Sequence, residues 1–219
     1  MSTKSLKIKV SPVIGSVSAR YIAPANAKCI FTLAHGAGAG MDHSFMETLS
    51  NALSAVGIAT LRFNFPFAEN KKGRPDSPVV AHATIEAAIK KAQELNPGLP
   101  LFASGKSFGG RMSSQYLSER PESPAKGIIF YGFPLHAAGK PSIDRAGHLK
   151  ALKIPMLFLQ GSKDTLATWD LIENVCKSLR KATLVKFEGA DHSFKAGKTD
   201  VMSLLVDATN KWVDKMLRK

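Results

Sequence analysis

Leu101-Phe102-Ala103-Ser104-Gly105-Lys106-Ser107-Phe108-Gly109-Gly110 is the stretch that decides how this chain folds. An apolar run feeds a Gly-x-Ser-x-Gly, and a helix-competent segment follows. Strand, sharp turn and helix in that succession make a nucleophile elbow, which lifts a serine hydroxyl above the end of a sheet. Gly105 and Gly109 have a steric task. The serine between them is forced into a strained backbone conformation, and side chains at the flanking positions would collide with the strand and helix packed beside it. A serine presented in this way needs a base, an acid behind the base and donors for an oxyanion.

Working outward, further short apolar runs resemble the one before Ser107. Cys29–Ala34, Ala59–Phe63, Pro100–Ala103, Gly127–Tyr131, Pro155–Leu159 and Thr183–Phe187 are continuous in the way of strands buried on both faces. Ahead of them, Leu6, Ile8 and Val10 alternate with Lys7 and Lys9. Val17, Ala19 and Tyr21 alternate with Ser16, Ser18 and Arg20. With Pro12 to Gly15 between, these predict an antiparallel hairpin with one wet face. Helical spacing separates the later strands. Phe45, Leu49, Leu53 and Val56 share a face that stops at Gly57. Ser77-Pro78 caps a helix that Asn96-Pro97-Gly98 closes. Leu171 to Leu179 and Met202 to Met216 carry two more core-facing stripes. The expected architecture is α/β: a mostly parallel, doubly wound sheet with an antiparallel N-terminal hairpin, in a single domain over residues 1–219. Such sheets bind ligands beyond the carboxyl ends of their strands.

The partners Ser107 requires fall at those ends. Asp164 follows one strand in Gln160-Gly161-Ser162-Lys163-Asp164, and His192 follows another in Glu188-Gly189-Ala190-Asp191-His192-Ser193-Phe194. His192 is the candidate base and Asp164 the acid that orients it. Asp191 adjoins His192 and reads as a turn residue. His35-Gly36-Ala37-Gly38-Ala39-Gly40 ends a third strand. Its small residues allow backbone N–H groups to converge, with Ala37 as first oxyanion donor, Gly38 close behind, and the N–H of Phe108 as the second donor. His35 reads as a loop-fixing residue. Two nucleotide-binding readings fail on spacing. A P-loop ending in Gly105-Lys106-Ser107 lacks its first glycine, since Pro100 stands there. A dinucleotide fingerprint at Gly36-Ala37-Gly38 meets Met41 where its third glycine should be.

The formal charge of +13 comes from scattered Lys and Arg. Lys71, Lys72 and Arg74 form one loose cluster, and Lys211, Lys215, Arg218 and Lys219 another, with no dense basic run. A solvated basic surface is expected, and no nucleic-acid partner. No apolar run is long enough to span a bilayer, and Met1 to Val10 carries no apolar core of a secretory signal. Cys29 and Cys176 lie far apart and read as buried thiols, so a cytoplasmic setting is expected.

The motifs quoted above, with Leu61-Arg62-Phe63-Asn64-Phe65-Pro66, Gly109-Gly110-Arg111 and Tyr131-Gly132-Phe133-Pro134-Leu135-His136, resemble the α/β-hydrolase superfamily over essentially the whole chain. More narrowly, the sequence is similar to small bacterial hydrolases related to dienelactone hydrolases. Within these it looks closest to the group that shares a domain with an animal testis-expressed hydrolase-like protein and a subunit of the NSL histone acetyltransferase complex. The order Ser107, Asp164, His192 is the one that superfamily uses. Dienelactone hydrolases proper use a cysteine nucleophile where this chain has Ser107.

The resemblance implies a hydrolase-like protein; with Ser107, Asp164 and His192 in place, the expected function is a serine hydrolase, carboxylesterase-like, acting on small or medium acyl esters through an acyl-enzyme, with no metal or organic cofactor. The alternatives are a catalytically idle binding or scaffold protein of the same fold, or a hydrolase of thioesters or amides. Only about twenty residues separate the strand ending near Tyr131 from the one starting near Pro155, so an open site with minimal or no lid is expected. The candidate substrate contacts are Gly36, Gly38, Arg62, Lys106 and Phe133. Arg62, Lys106, Arg111, Arg145 and the Lys71–Lys72–Arg74 group could meet an anionic substrate. Phe65, Phe67, Phe133 and Leu135 are candidates for an acyl pocket.

Overall fold

A computed structural model describes residues 3–218. Met1, at the head of the N-terminal segment, and Lys219, counted in the C-terminal basic cluster, lie outside the described residues. The elbow sequence becomes strand β5 (Leu101–Lys106) and helix α4 (Phe108–Glu119), with Ser107 alone between them. Around it run β1 (Lys4–Ser11), β2 (Gly15–Ile22), β3 (Cys29–Ala34), α1 (Ser44–Ala55), β4 (Ile58–Phe63), α2 (Pro66–Glu69) and α3 (Pro78–Leu95). After it come β6 (Ala125–Tyr131), a 3₁₀ segment (Asp144–Ala151), β7 (Met156–Gly161), α5 (Trp169–Ser178), β8 (Ala182–Phe187) and α6 (Val201–Leu217).

The strands form one eight-stranded sheet in the order β1-β2-β4-β3-β5-β6-β7-β8. The β1–β2 and β2–β4 pairs are antiparallel and every later pair is parallel. This is the α/β-hydrolase architecture. The 132–155 connection carries only the 3₁₀ segment, so no lid covers the site.

Strand alternation divides the apolar residues between two cores. Ile30, Ile128, Phe130, Met156 and Phe158 face α3, α4 and α5, where Ile85, Met112 and Ile172 meet them. Phe31, Leu33, Ile129, Leu157 and Leu159 face α1 and α6, where Leu49, Leu53, Leu205 and Trp212 meet them. Both faces are covered, which is why these strands read as unbroken apolar runs. Each such side chain contributes about 1.5–3 kcal/mol when fully buried. The outer strand β8 is half-buried along most of its length, as an edge strand must be.

Three local readings are refined. The strand expected to end at Ala103 continues to Lys106, because Gly105 and Lys106 pair with Phe130 and Tyr131 of β6. Ser77 precedes α3 but its hydroxyl caps nothing; Pro78 sets the first turn. The loop after Phe65 contains α2, which starts with Pro66 at its first turn and was too short to show a period.

Candidate active site

Ser107 has φ 50° and ψ −116°, a left-handed backbone conformation that costs a non-glycine residue free energy. The neighbouring glycines make it possible. A Cβ on Gly105 would overlap the Gly110 backbone N, and one on Gly109 would sit 2.5 Å from the carbonyl oxygen of Ala34. Strand β5 and helix α4 therefore approach as only glycines permit, and the hydroxyl of Ser107 stands at the sheet's carboxyl rim.

Two loops meet it there. His192, in the loop after β8, puts Nε2 2.9 Å from Ser107 Oγ. Its Nδ1 lies 2.7 Å from Asp164 Oδ2, on the turn after β7. Asp164 is buried to 1% side-chain exposure, whereas His192 keeps 22%. The buried carboxylate has further donors. Gln160 Nε2 donates to Oδ2 at 2.6 Å, and the Leu166 N–H donates to Oδ1 at 2.7 Å. Gln160 is itself fixed, its Oε1 accepting the N–H of Phe133 at 2.9 Å. The only sequence signal for this role of Gln160 is its place four residues before Asp164, near the end of a buried strand. Asp191 behaves as a turn residue, its Oδ1 accepting the N–H groups of Ser193 and Lys195.

The loop after β3 passes beside the hydroxyl. A Cβ on Gly36 would lie 3.7 Å from Ser107 Cβ. Among the described residues, neither the Ala37 N–H nor the Phe108 N–H is engaged in a hydrogen bond. Side chains behind this loop hold it in place. Arg62 Nη1 donates to the Met41 carbonyl and Asn64 Oδ1 accepts the Met41 N–H, each at 2.9 Å. His35 is fully buried; its Nδ1–H donates to the Gly36 carbonyl, and its Nε2 accepts the Phe65 N–H at 3.0 Å. Burial pushes His35 down to about 4, although the Gly36 hydrogen bond favours the charged form, so the ring is neutral at pH 7.

A cavity of about 710 Å³ opens over Ser107. Gly36, Ala37, Gly38, Lys106 and His192 line it, with Phe45, Met46, Leu166 and Met202 as its apolar wall. Beyond the Ala37–Gly40 loop lies a second cavity of about 630 Å³, bordered by Phe67, Lys71 and Lys72. Arg74 is exposed outside both. Among the described residues no group of three or more His, Cys, Asp or Glu side chains converges as metal ligands would.

Two expected substrate contacts are corrected. Arg62 is 2% exposed behind the Met41 loop and is committed to a backbone carbonyl. Phe133 is 1% exposed and packs edge-on against Phe130 and Phe158, because the turn after β6 folds into the core instead of the cavity. The expected acyl pocket fails with it. Phe65, Phe67 and Phe108 form a buried aromatic cluster around His35, and Leu135 is fully buried. Arg111, on α4, and Arg145, in the 3₁₀ segment, line neither cavity, and Arg145 donates to the His136 carbonyl at 3.0 Å. The apolar wall comes instead from the turn after β7, through Leu166, and from α1 and α6, whose helical stripes read as core.

Comparison with solved structures returns the same fold. Est1E from Butyrivibrio proteoclasticus superposes with a TM-score of 0.77 at 14% identity, covering 98% of this chain and 99% of that one. A dienelactone hydrolase from Anabaena variabilis gives 0.77 at 18% identity, with 98% and 97% covered. An α/β serine hydrolase homologue from Coxiella burnetii gives 0.78 at 21% identity, with 95% and 98% covered. Residues 27–216 match the family described as alpha/beta hydrolase domain, and the chain belongs to that family.

Proposed function

We propose that this protein is a serine hydrolase that cleaves small or medium acyl esters through Ser107, His192 and Asp164. One observation carries the reading: an unbroken hydrogen-bonded line from Ser107 Oγ through His192 to the buried Asp164 carboxylate, at 2.9 Å and 2.7 Å. Ser107 Oγ attacks the ester carbonyl carbon while its proton passes to His192 Nε2. Asp164 fixes the tautomer with Nδ1–H and stabilises the imidazolium that forms. The Ala37 and Phe108 N–H groups receive the oxyanion. His192 then returns the proton to the departing alcohol oxygen, leaving Ser107 acylated. Water, deprotonated by His192, attacks that acyl carbon and restores the hydroxyl. No step calls on a metal or organic cofactor.

The open, largely apolar cavity supports a modest acyl group entering from solvent. Two buried free thiols, Cys29 and Cys176, support a reducing, cytoplasmic setting. The test is pre-steady-state hydrolysis of p-nitrophenyl acetate and butyrate. A burst of nitrophenolate equal to the enzyme concentration is expected, lost in Ser107→Ala. A folded wild type with neither burst nor turnover on any acyl length refutes the reading.

A further inference from the structure

The reaction described above makes no use of Lys106, yet Lys106 is wired to its base. As the last residue of β5 it pairs with Tyr131 of β6, so its side chain leaves the sheet at the same rim as Ser107. Its Nζ donates to the backbone carbonyl of His192 at 2.6 Å. It lies over the rings of Phe194, 5.4 Å from the centroid, and Phe45, at 5.9 Å. Gly132, at φ +74°, makes room: a Cβ there would come 3.2 Å from Nζ and 3.5 Å from His192 Cε1. One cation thus joins α1, the turn after β6 and the loop that carries the base. A charge half-removed from water is unfavourable unless its hydrogen bonds use it.

We propose that Lys106 is a positioning residue, whose ammonium holds the His192 backbone where Nε2 reaches Ser107, and that discharging this ammonium switches hydrolysis off in alkali. The inference rests on the reading of Ser107 and His192 above. The β8–α6 loop is tied to the turn after β7 short of the histidine, where the Ala190 carbonyl accepts the Lys163 N–H at 2.9 Å and the Gly189 N–H donates to Ser162 Oγ at 2.7 Å. Asp191 ties the loop to itself through Ser193 and Lys195, and Phe194, at φ 61°, anchors it by stacking on Phe45. Lys106 supplies the link from that loop back to the strand that carries the nucleophile. The titratable and charged groups around it are His192, Asp191 and Lys195 from the β8–α6 loop, His43 ahead of α1 and Asp164 from the turn after β7; α1 presents Phe45 and the turn after β6 presents Gly132. Burial holds the lysine down to about 8, against the support of Asp164 and then Asp191.

The signs for stability and activity are opposite. Between about 8 and the ordinary 10.5 an unfolded chain keeps this proton and the native one does not. This lysine's contribution to stability therefore rises with pH across that window. Turnover, if Lys106 positions the base, falls across it. A merely structural lysine gives the first slope without the second.

The experiment compares wild type, Lys106→Met and Lys106→Arg in p-nitrophenyl acetate hydrolysis from pH 6 to 10. Urea unfolding and fluorophosphonate labelling run in parallel. Wild-type kcat should decline above pH 8 with KM within about twofold. Lys106→Met should lose about tenfold in kcat at pH 7, the order expected for a slightly displaced catalytic group, and show no alkaline decline. Lys106→Arg, whose guanidinium stays charged, should recover at least about a third of the wild-type rate and hold it to pH 10. A wild-type rate flat from pH 8 to 10, the same alkaline decline in Lys106→Met, or an effect confined to KM overturns the inference. If the wild type is labelled and the three proteins behave alike, only the lysine's role fails. If the wild type takes no label, the serine-hydrolase reading fails and this inference with it.

Discussion

His35 and His192 both stand near Ser107 at the carboxyl rim of the sheet, and on the proposed reading only His192 moves a proton. His35 follows β3 and His192 lies in the loop after β8. His35 spends both ring nitrogens on backbone, Gly36 on one side and Phe65 on the other, and is enclosed by Phe65 and Phe67. His192 has a buried carboxylate behind it, a hydroxyl in front and a face open to the cavity. Proximity to the nucleophile does not make a base. A charge partner for the protonated ring and an unoccupied route for the proton do.

The largest expected effect breaks the pair apart. His192→Ala should lower kcat by about 10⁴ or more, since the unit fails when either its nucleophile or its base is lost. His35→Ala should instead lower stability, by about 1–3 kcal/mol for the orphaned Phe65 N–H, with the shape of the pH–rate profile unchanged. Urea unfolding and kcat measured on both variants check this; a His35 variant that matches His192→Ala in kcat at full stability contradicts it. Next in size is the same contrast between two carboxylates. Asp164→Asn should cost about 10²–10⁴ in kcat by presenting the wrong tautomer to His192, as in the chymotrypsin-type triad. Asp191→Asn retains the turn's acceptor oxygen and should stay within about threefold, read by steady-state turnover.

A smaller effect sharpens the comparison through pH. Burial pushes His35 and His148 each down to about 4 from an ordinary 6.5. Between those values the unfolded chain binds protons that the native protein refuses, so stability should fall as pH drops from about 6.5 to 4. Urea midpoints across that range should decline in wild type, and less steeply in His148→Gln. An equal slope in both would remove His148 from the account.

The elbow, the parallel strands and the loops bearing Asp164 and His192 were legible because local sterics and strand burial write themselves as short patterns. Gly-x-Ser-x-Gly after an apolar run has few backbone solutions. The cavity wall was not legible. Phe45, Met46 and Met202 lie in the first turns of helices whose stripes read as core, and those first turns start at the carboxyl rim because the helices follow β3 and β8. Arg62 and Phe133 misled for a related reason. A cation near the carboxyl end of a strand, or an aromatic just beyond one, suggests a ligand contact, but whether its side chain turns to the cavity or the core depends on tertiary placement. Arg62 instead holds the Met41 carbonyl and so steadies the loop carrying Ala37. Asn64 does the same from the other side, a role with no sequence signature beyond its position after β4.

Hydrolysis at this site requires Ser107 to be an activated alcohol. Intact-mass spectrometry after treatment with a fluorophosphonate probe measures this directly, with peptide mapping of the adduct. One adduct per chain is expected, on Ser107, forming at least about a hundredfold more slowly in Asp164→Asn and absent in Ser107→Ala. A folded wild-type protein left unmodified, or labelled on another residue while Ser107 stays free, would contradict it.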